Sequence, residues 1–377
     1  MKKIFLSVLA VAALASCTKM DTAYEAPQEI GFVAVGSNIT KAPVNGNVYP
    51  IGLNMYVNAY VHSTTAPESP DYISNGEFKY KTAISETTTT DGTTTTTSTN
   101  VWGGWNSTTN EANPYYWPNE KTLHFSGYSK SGSFTSAEYN PSDDELIITG
   151  YNPGLGTAEG ANDLMWFPST IHTQPNGYGK TTKYVPVNMY HTCSWITFMV
   201  QGDITTGDEN SSYKITSLTM NDVDMTANVT CTGDASLAQA TIPTYVVWTS
   251  NTDQTEAYNV GVNGTGVELK ETYTSETSKS PRNIETGLTT TVGGNIVVIP
   301  QKPGTINLTW TYKSSTNSDV NDSATGLSLK LNDGNTLNWE PGKHYIYTIT
   351  IKANEILIAP KPVDWIDGGG NGNVTVE

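Results

Sequence analysis

Few side chains in this sequence stand where their type and spacing could do chemistry, and the most specific is a cysteine near the start. Lys2 and Lys3 precede the apolar stretch Ile4–Ala13, which is followed by Leu14-Ala15-Ser16-Cys17. A basic start, a short apolar segment and small residues before a cysteine read as a lipoprotein export signal. The Cys17 thiol would take a diacylglyceryl group, cleavage would follow Ser16, and the freed amine would be acylated too. Two or three acyl chains hold a protein to a membrane stably, where one does not. The apolar stretch itself is shorter than the ~20 residues a spanning helix needs.

A second point of chemistry is a peptide bond. Lys41 is the only Lys or Arg between Lys19 and Lys79, and it closes the run EIGFVAVGSNITKA, Glu29–Ala42. In an extended Ile30–Val35, the side chains of Ile30, Phe32 and Ala34 project to one side and Gly31, Val33 and Val35 to the other. A strand apolar on both faces is a buried one. Gly36–Pro50 is rich in Gly, Asn and Pro, so a protease could reach Lys41 there. The reading is a temporary first strand cut off between Lys41 and Ala42. The competing reading is a solvated loop lysine beside a permanent core strand.

The remaining reactive residues carry no constellation. His62, His124, His172, His191 and His344 are dispersed, with no pair at metal-ligand spacing and no nucleophile motif. His191 and Cys193 lie two apart and read as a packed pair on one strand face. Asp143-Asp144-Glu145 reads as a solvated turn sooner than a Ca²⁺ site. No catalytic residue, metal or cofactor is expected. With Cys17 committed to lipid, a disulfide between Cys193 and Cys231 is allowed by parity but not implied.

The charge balance narrows the partners. The chain carries 20 Lys+Arg against 36 Asp+Glu, a formal net charge of −16, and loses two lysines with residues 1–16. So acidic a surface repels nucleic acid and anionic head groups, which excludes nucleic-acid binding.

The elements that must position these residues are strands. Thr, Val, Ile, Tyr and Trp abound, and Gly, Asn, Asp and Pro punctuate the chain. Strands are expected at Leu53–His62, Leu123–Ser129, Glu145–Gly150, Val185–Gln201, Tyr213–Leu218, Thr244–Trp248, Asn295–Ile299, Thr305–Tyr312, Leu327–Leu331 and His344–Lys352. In the last, Tyr345, Tyr347, Ile349 and Ile351 share one face, the pattern of a half-buried antiparallel strand. Asn221-Asp222, Asp333-Gly334 and Pro341-Gly342 are expected as turns. Thr87–Thr99, low in complexity and without an apolar face, is expected as a surface loop. Roughly 360 residues after the export signal exceed what one core usually serves. The expected organisation is residues 1–16 as signal, 17–41 as a lipidated propeptide with the removable strand, and two β-sandwich domains at 42–183 and 184–377.

Motifs in this order resemble the fimbrillin family, the type V pilins and related surface lipoproteins of Gram-negative anaerobes. They are the Cys17 box, IGFVAV (Ile30–Val35), Thr40-Lys41-Ala42, LNMYVNAYV, YYWP (Tyr115–Pro118), LHFSGYS, DLMWF (Asp163–Phe167), MYHTCSWITFMV, WEPGKHYIYTITI and VDW (Val363–Trp365). The resemblance implies an all-β protein of two transthyretin-like antiparallel β-sandwich domains in tandem. It also implies export to the outer membrane and fimbrium, cleavage by a trypsin-like protease, and polymerisation in which another subunit's C-terminal strand fills the slot left by the first strand. Candidate donor residues are Ile356, Ile358, Val363 and Trp365, or Val374 and Val376, with Pro360 and Pro362 expected to interrupt strand pairing. Partners would be other pilin subunits, alike or different, the protease, and host protein or glycan receptors. Asp21-Thr22-Ala23 and Asp322-Ser323-Ala324 resemble short O-glycosylation acceptors of such bacteria. Alternatives are a non-polymerising glycan-binding lipoprotein that stacks sugars on the VWGGW (Val101–Trp105) and YYWP aromatics, or a tip or anchor subunit of the same pilus. Related stalk subunits often carry Arg where this chain has Lys41.

Overall fold

The computed structural model describes residues 27–34, 49–63, 67, 70–90, 93–119, 121–129, 131–154, 162–173, 184–203, 212–233, 242–250, 255–270, 281–289, 296–313, 318–329, 338–352 and 356–364. The described chain is β-structure, apart from one short helical turn.

The first half contributes β1 (Gly31–Ala34), β2 (Met55–Val61), β3 (Ile73–Thr90), β4 (Thr93–Asn106), β5 (Glu111–Ala112) and β6 (Thr122–Ser129). Then come β7 (Ser136–Asn140), β8 (Glu145–Tyr151), β9 (Met165–Thr173), β10 (Val185–Val187) and β11 (Tyr190–His191). The second half opens with β12 (Ser194–Asp203), β13 (Ser212–Asp224), β14 (Ala227–Thr232), helix α1 (Ile242–Tyr245) and β15 (Val246–Ser250). It continues with β16 (Thr255–Val260), β17 (Val267–Lys270), β18 (Arg282–Asn283) and β19 (Ile296–Val298). It closes with β20 (Thr305–Lys313), β21 (Val320–Ser328), β22 (Lys343–Lys352) and β23 (Ile356–Asp364).

These strands form four sheets. The largest runs β10-β1-β4-β3-β2-β6-β9-β11, with β5 on β4. It curls so that Phe32, Val57, Phe78, Trp102, Phe125, Phe167 and Val185 meet in one core. Strand β2 serves two cores because its faces alternate: Met55, Val57 and Ala59 enter that core, while Tyr60 enters a second. Across this second core lies the sheet β15-β14-β8-β7, in which β14 from the second half pairs antiparallel with β8 from the first. The third core lies between β18-β12-β22-β23 and β16-β13-β20-β21, where Phe198, Ile215, Leu308, Tyr347 and Ile349 are buried together. Strands β12 and β22 pair in parallel from Trp195–His344 to Asp203–Lys352, joining distant parts of the chain.

Several local expectations change. Val185–Gln201 is not one strand: β10 pairs with β1, β11 with β9, and β12 leaves for another sheet. A continuous apolar run does not tell which sheet each piece joins. Of Thr87–Thr99, Thr87–Thr90 and Thr93–Thr99 fall in the β3–β4 ladder, where Thr87 opposes Thr96 and Thr90 opposes Thr93, and residues 91 and 92 lie outside the described residues. β-Branched threonine favours extended backbone even without a core to cover. Asn221-Asp222 is a bulge inside β13, where the register shifts between Met220 and Val223 and Asp222 has φ 57°. Asp tolerates that left-handed conformation better than most residues. Residues Thr244 and Tyr245 belong to α1, whose Pro243 suits a first helical turn. The strand expected at Leu327–Leu331 ends at Ser328 and starts at Val320. Strand β22 has its expected face, and His344 and Ile346 are buried on the other. Asp333-Gly334 lies outside the described residues, while Pro341-Gly342 is a turn with Gly342 at φ 68°.

Candidate functional site

The residues around β1 form the most distinctive arrangement. This strand is an insert between two others, antiparallel to β4 through Gly31–Gly103 and Phe32–Trp102, and parallel to β10 through Phe32–Val185, Val33–Pro186 and Ala34–Val187. The chain ahead of it is held by backbone bonds as well. Ile30 N donates to Tyr115 O at 2.7 Å, and Trp117 N donates to Gln28 O at 2.9 Å. Taking β1 away would leave β4 and β10 each with an unpaired edge, a template for another strand.

The inner face of β1 explains why the insert is held. Ile30 and Phe32 are fully buried there, and Val33, on the opposite face with Gly31, is only 9% exposed. The Phe32 ring lies 4.9 Å from Phe78 and 5.3 Å from Phe125, edge-on to both, and 5.9 Å from Phe167. Burying an Ile, a Phe and a Val is worth about 1.5–3 kcal/mol each, so these side chains contribute on the order of 5–9 kcal/mol of gross burial. That is comparable to the net stability of a whole domain, about 5–15 kcal/mol.

The outer face is shaped by two glycines that oppose each other. A Cβ on Gly31 would come within 2.7 Å of Tyr184 Cδ1 and 3.2 Å of Trp102 O. A Cβ on Gly103 would come within 2.9 Å of Lys81 Cδ and 3.2 Å of Glu29 Oε1. The bare backbone at Gly103 lets the Lys81 stem cross it, so that Lys81 Nζ donates to both Glu29 oxygens at 2.8 and 2.6 Å. Tyr184 covers Gly31 in the same way. An isolated glycine inside an apolar strand signals such a close approach. Gly31 offers that signal, although the run around it reads from the sequence only as a buried strand. Lys81, Gly103, Tyr184 and the Phe78–Phe125–Phe167 bed were missed, because they come together only through pairing.

Of the other residues singled out in the sequence, Ala34 ends β1, and Val35, Lys41, Ala42 and Cys17 lie outside the described residues. Candidate donor residues Ile356 and Ile358 are half-buried against the third core, in β23. Val363 in the same strand opposes His344, while Trp365, Val374 and Val376 lie outside the described residues. Pro360 and Pro362 do not interrupt pairing, since they oppose Tyr347 and Tyr345 in the β22–β23 ladder. β23 is the last strand of its sheet, where a backbone position without an N–H can face away from the ladder.

Most of the scattered reactive groups are packed in the interior, while His62 and His124, far apart in sequence, meet with Nδ1 and Nε2 2.5 Å apart and their rings stacked. Cys193 and Cys231 are free and buried, and burial pushes both thiols far above the ordinary range. His191 ends β11, so Cys193 lies beyond that strand, and His191 Nδ1 contacts Asp163 Oδ2 in the buried interior. Desolvation raises the Asp163 pKa, and the nearby His191 opposes that rise. His344 stacks on Trp195 with centroids 3.7 Å apart and has Thr197 Oγ1 2.8 Å from its Nε2. Asp144 accepts a hydrogen bond from Tyr139 at 2.8 Å within a turn. Among the described residues, no group of three or more His, Cys, Asp or Glu could hold a metal ion. Of the aromatics considered as a sugar platform, Trp102 and Trp117 are buried, Trp105 and Tyr115 half-buried, and Tyr116 is 44% exposed.

Fold and site together define a multi-sheet β-protein whose first strand is inserted between two others and fills a core. The chain belongs to the fimbrillin-like family, whose profile matches residues 61–365. This is a family of fimbrial and cell-adhesion proteins, not of enzymes. Among solved structures, a fimbrial protein from Bacteroides vulgatus is similar at 13% identity, with 82% of this chain and 92% of that chain covered and a TM-score of 0.49. A fimbrial assembly protein from Parabacteroides distasonis is similar at 9% identity, covering 89% and 95% with a TM-score of 0.33. The tip fimbrial protein Mfa3 from Porphyromonas gingivalis, with a C-terminal truncation, is similar at 10% identity, covering 89% and 100% with a TM-score of 0.31. The comparison with curated proteins found no match.

Proposed function

We propose that this chain is a structural subunit of a cell-surface fimbrium, assembled by strand replacement. In this reading the precursor is exported as a lipoprotein acylated at Cys17, and a trypsin-like protease cuts between Lys41 and Ala42. The piece carrying Ile30–Val35 leaves, and a C-terminal strand of another subunit takes its place between β4 and β10. Two tandem transthyretin-like sandwiches would form the rod unit, with their division after β11 instead of between residues 183 and 184, since β10 and β11 pair within the first sheet. The observation that carries the reading is the position of β1: its side chains fill a core, it pairs on both edges, and Lys41 lies in the connection after it. A vacated slot of that kind gives any matching strand backbone partners on both sides and an apolar bed.

Sequencing the amino terminus of the surface-assembled protein tests this directly. A start at Ala42, in species that run as SDS-resistant ladders, is the expected result for a polymerised subunit. A start at acylated Cys17 in a protein that still forms ladders assigns the chain as the anchor. A monomer that starts at Cys17, retains β1 and never forms ladders overturns the proposal.

A further inference from the structure

We infer that the slot around β1 selects its occupant by one position: it accepts a strand with glycine at the place of Gly31 between two apolar residues, preceded by an acid, and it therefore takes that strand from a different subunit and not from the tail of an identical copy. The inference rests on the strand-replacement reading above and specifies its partner.

The selection follows from the two faces of the slot. Inward, the residues on either side of the central position enter the bed that holds Ile30 and Phe32, both fully buried. Outward, the central residue lies under Tyr184, and any Cβ there would stand 2.7 Å from Cδ1 and 3.0 Å from Cε1 of that ring. Two residues before the centre, Lys81 presents its ammonium to the Glu29 carboxylate. The pattern is acid, apolar, glycine, apolar. The central requirement is the same for either strand direction, because the neighbours on both sides of the glycine must point inward.

This chain's own candidate donors break the rule at the central position. Glu355-Ile356-Leu357-Ile358 matches Glu29-Ile30-Gly31-Phe32 in charge and alternation, but puts Leu357 under Tyr184. Val374-Thr375-Val376 puts Thr375 there. Gly368, Gly369, Gly370 and Gly372 are flanked by Asp367, Asn371, Asn373 or one another, so none is flanked by apolar residues. Strand β23, which holds Ile356 and Ile358, is instead paired with β22 of its own chain.

The test uses the full chain with residues 38–44 replaced by the site of a specific protease, so that it does not depend on the natural cut. The protein is nicked with its first segment still bound, then mixed with labelled peptides. These are residues 28–36 (QEIGFVAVG), the same with Gly31→Leu or Glu29→Lys, and residues 355–363 (EILIAPKPV). The native peptide is expected to enter the nicked protein, with the Gly31→Leu peptide and the 355–363 peptide each at least tenfold weaker. The Glu29→Lys peptide is expected to be a few-fold weaker at low salt and to recover at high salt. Tyr184→Ala in the protein is expected to restore the Gly31→Leu peptide. If no peptide enters, the native one included, the strand-replacement reading falls. If the native peptide enters and the Gly31→Leu or 355–363 peptide enters equally well, the selection rule alone falls.

Discussion

Replacing Phe32 by alanine tests whether β1 behaves as a separable insert. The ring is fully buried and touches three other aromatic rings at centroid distances of 4.9, 5.3 and 5.9 Å. Truncating a buried Phe to Ala costs about 3–5 kcal/mol, since the bed cannot collapse around the space. At about 1.4 kcal/mol per factor of ten, a loss near 4 kcal/mol raises the strand-out population about a thousandfold. The assay is native-state hydrogen exchange. The amides of β1 and of its neighbours at Trp102, Gly103 and Val185 should exchange far faster in Phe32→Ala, because the opening is local. The amides of Phe198, Val200 and Ile349 in the third core should keep nearly their original rates. Equal acceleration in β12 and β22 would refute the idea of an insert, and so would unchanged exchange in β1.

The other expectations follow from particular environments. Burial lowers the His344 pKa from 6.5 to about 3, so the folded protein refuses a proton that the unfolded chain accepts. That contribution to stability is present above pH 6.5 and is lost on acidification toward pH 3, at up to about 1.4 kcal/mol per pH unit. Urea midpoints measured at pH 7, 5 and 4 should fall more steeply in the parent than in His344→Gln, and equal slopes would contradict the assignment. Cys193 and Cys231 should take up no thiol reagent at pH 8 in the native protein and react in denaturant, because their thiols are buried and held protonated; rapid native labelling would contradict this. The Lys81–Glu29 pair, 50% and 32% exposed, should contribute under about 1 kcal/mol to stability, so Lys81→Met should lower the urea midpoint only slightly and less still in 1 M salt.

How much of this was legible in the sequence differs from residue to residue. The apolar-on-both-faces pattern of Ile30–Val35 announced a buried strand, and Phe32 is buried as that pattern requires. Alternation likewise marked the core face of β22, from Tyr345 to Ile351. Lone punctuation misled at Asn221-Asp222, where a bulge does the work of a turn inside a continuing strand. Composition misled at Thr87–Thr99, where polarity argued for a loop and β-branching for the ladder that forms.

Period-two alternation and β-branched composition are local, so the chain by itself determined that it is β-structured and that the apolar run starting at Ile30 is a buried strand. Pairing across long separations is not local. Only the tertiary structure decided that β1 lies between β4 and β10, that β14 returns to pair with β8, and that Lys81 and Tyr184 cover the outer face of the strand. The physical reason is that the same apolar strand could satisfy its alternation against many partners. Only the full set of edges, side-chain volumes and backbone hydrogen bonds leaves one arrangement in which Phe32 fills its bed and Gly31 passes beneath a ring.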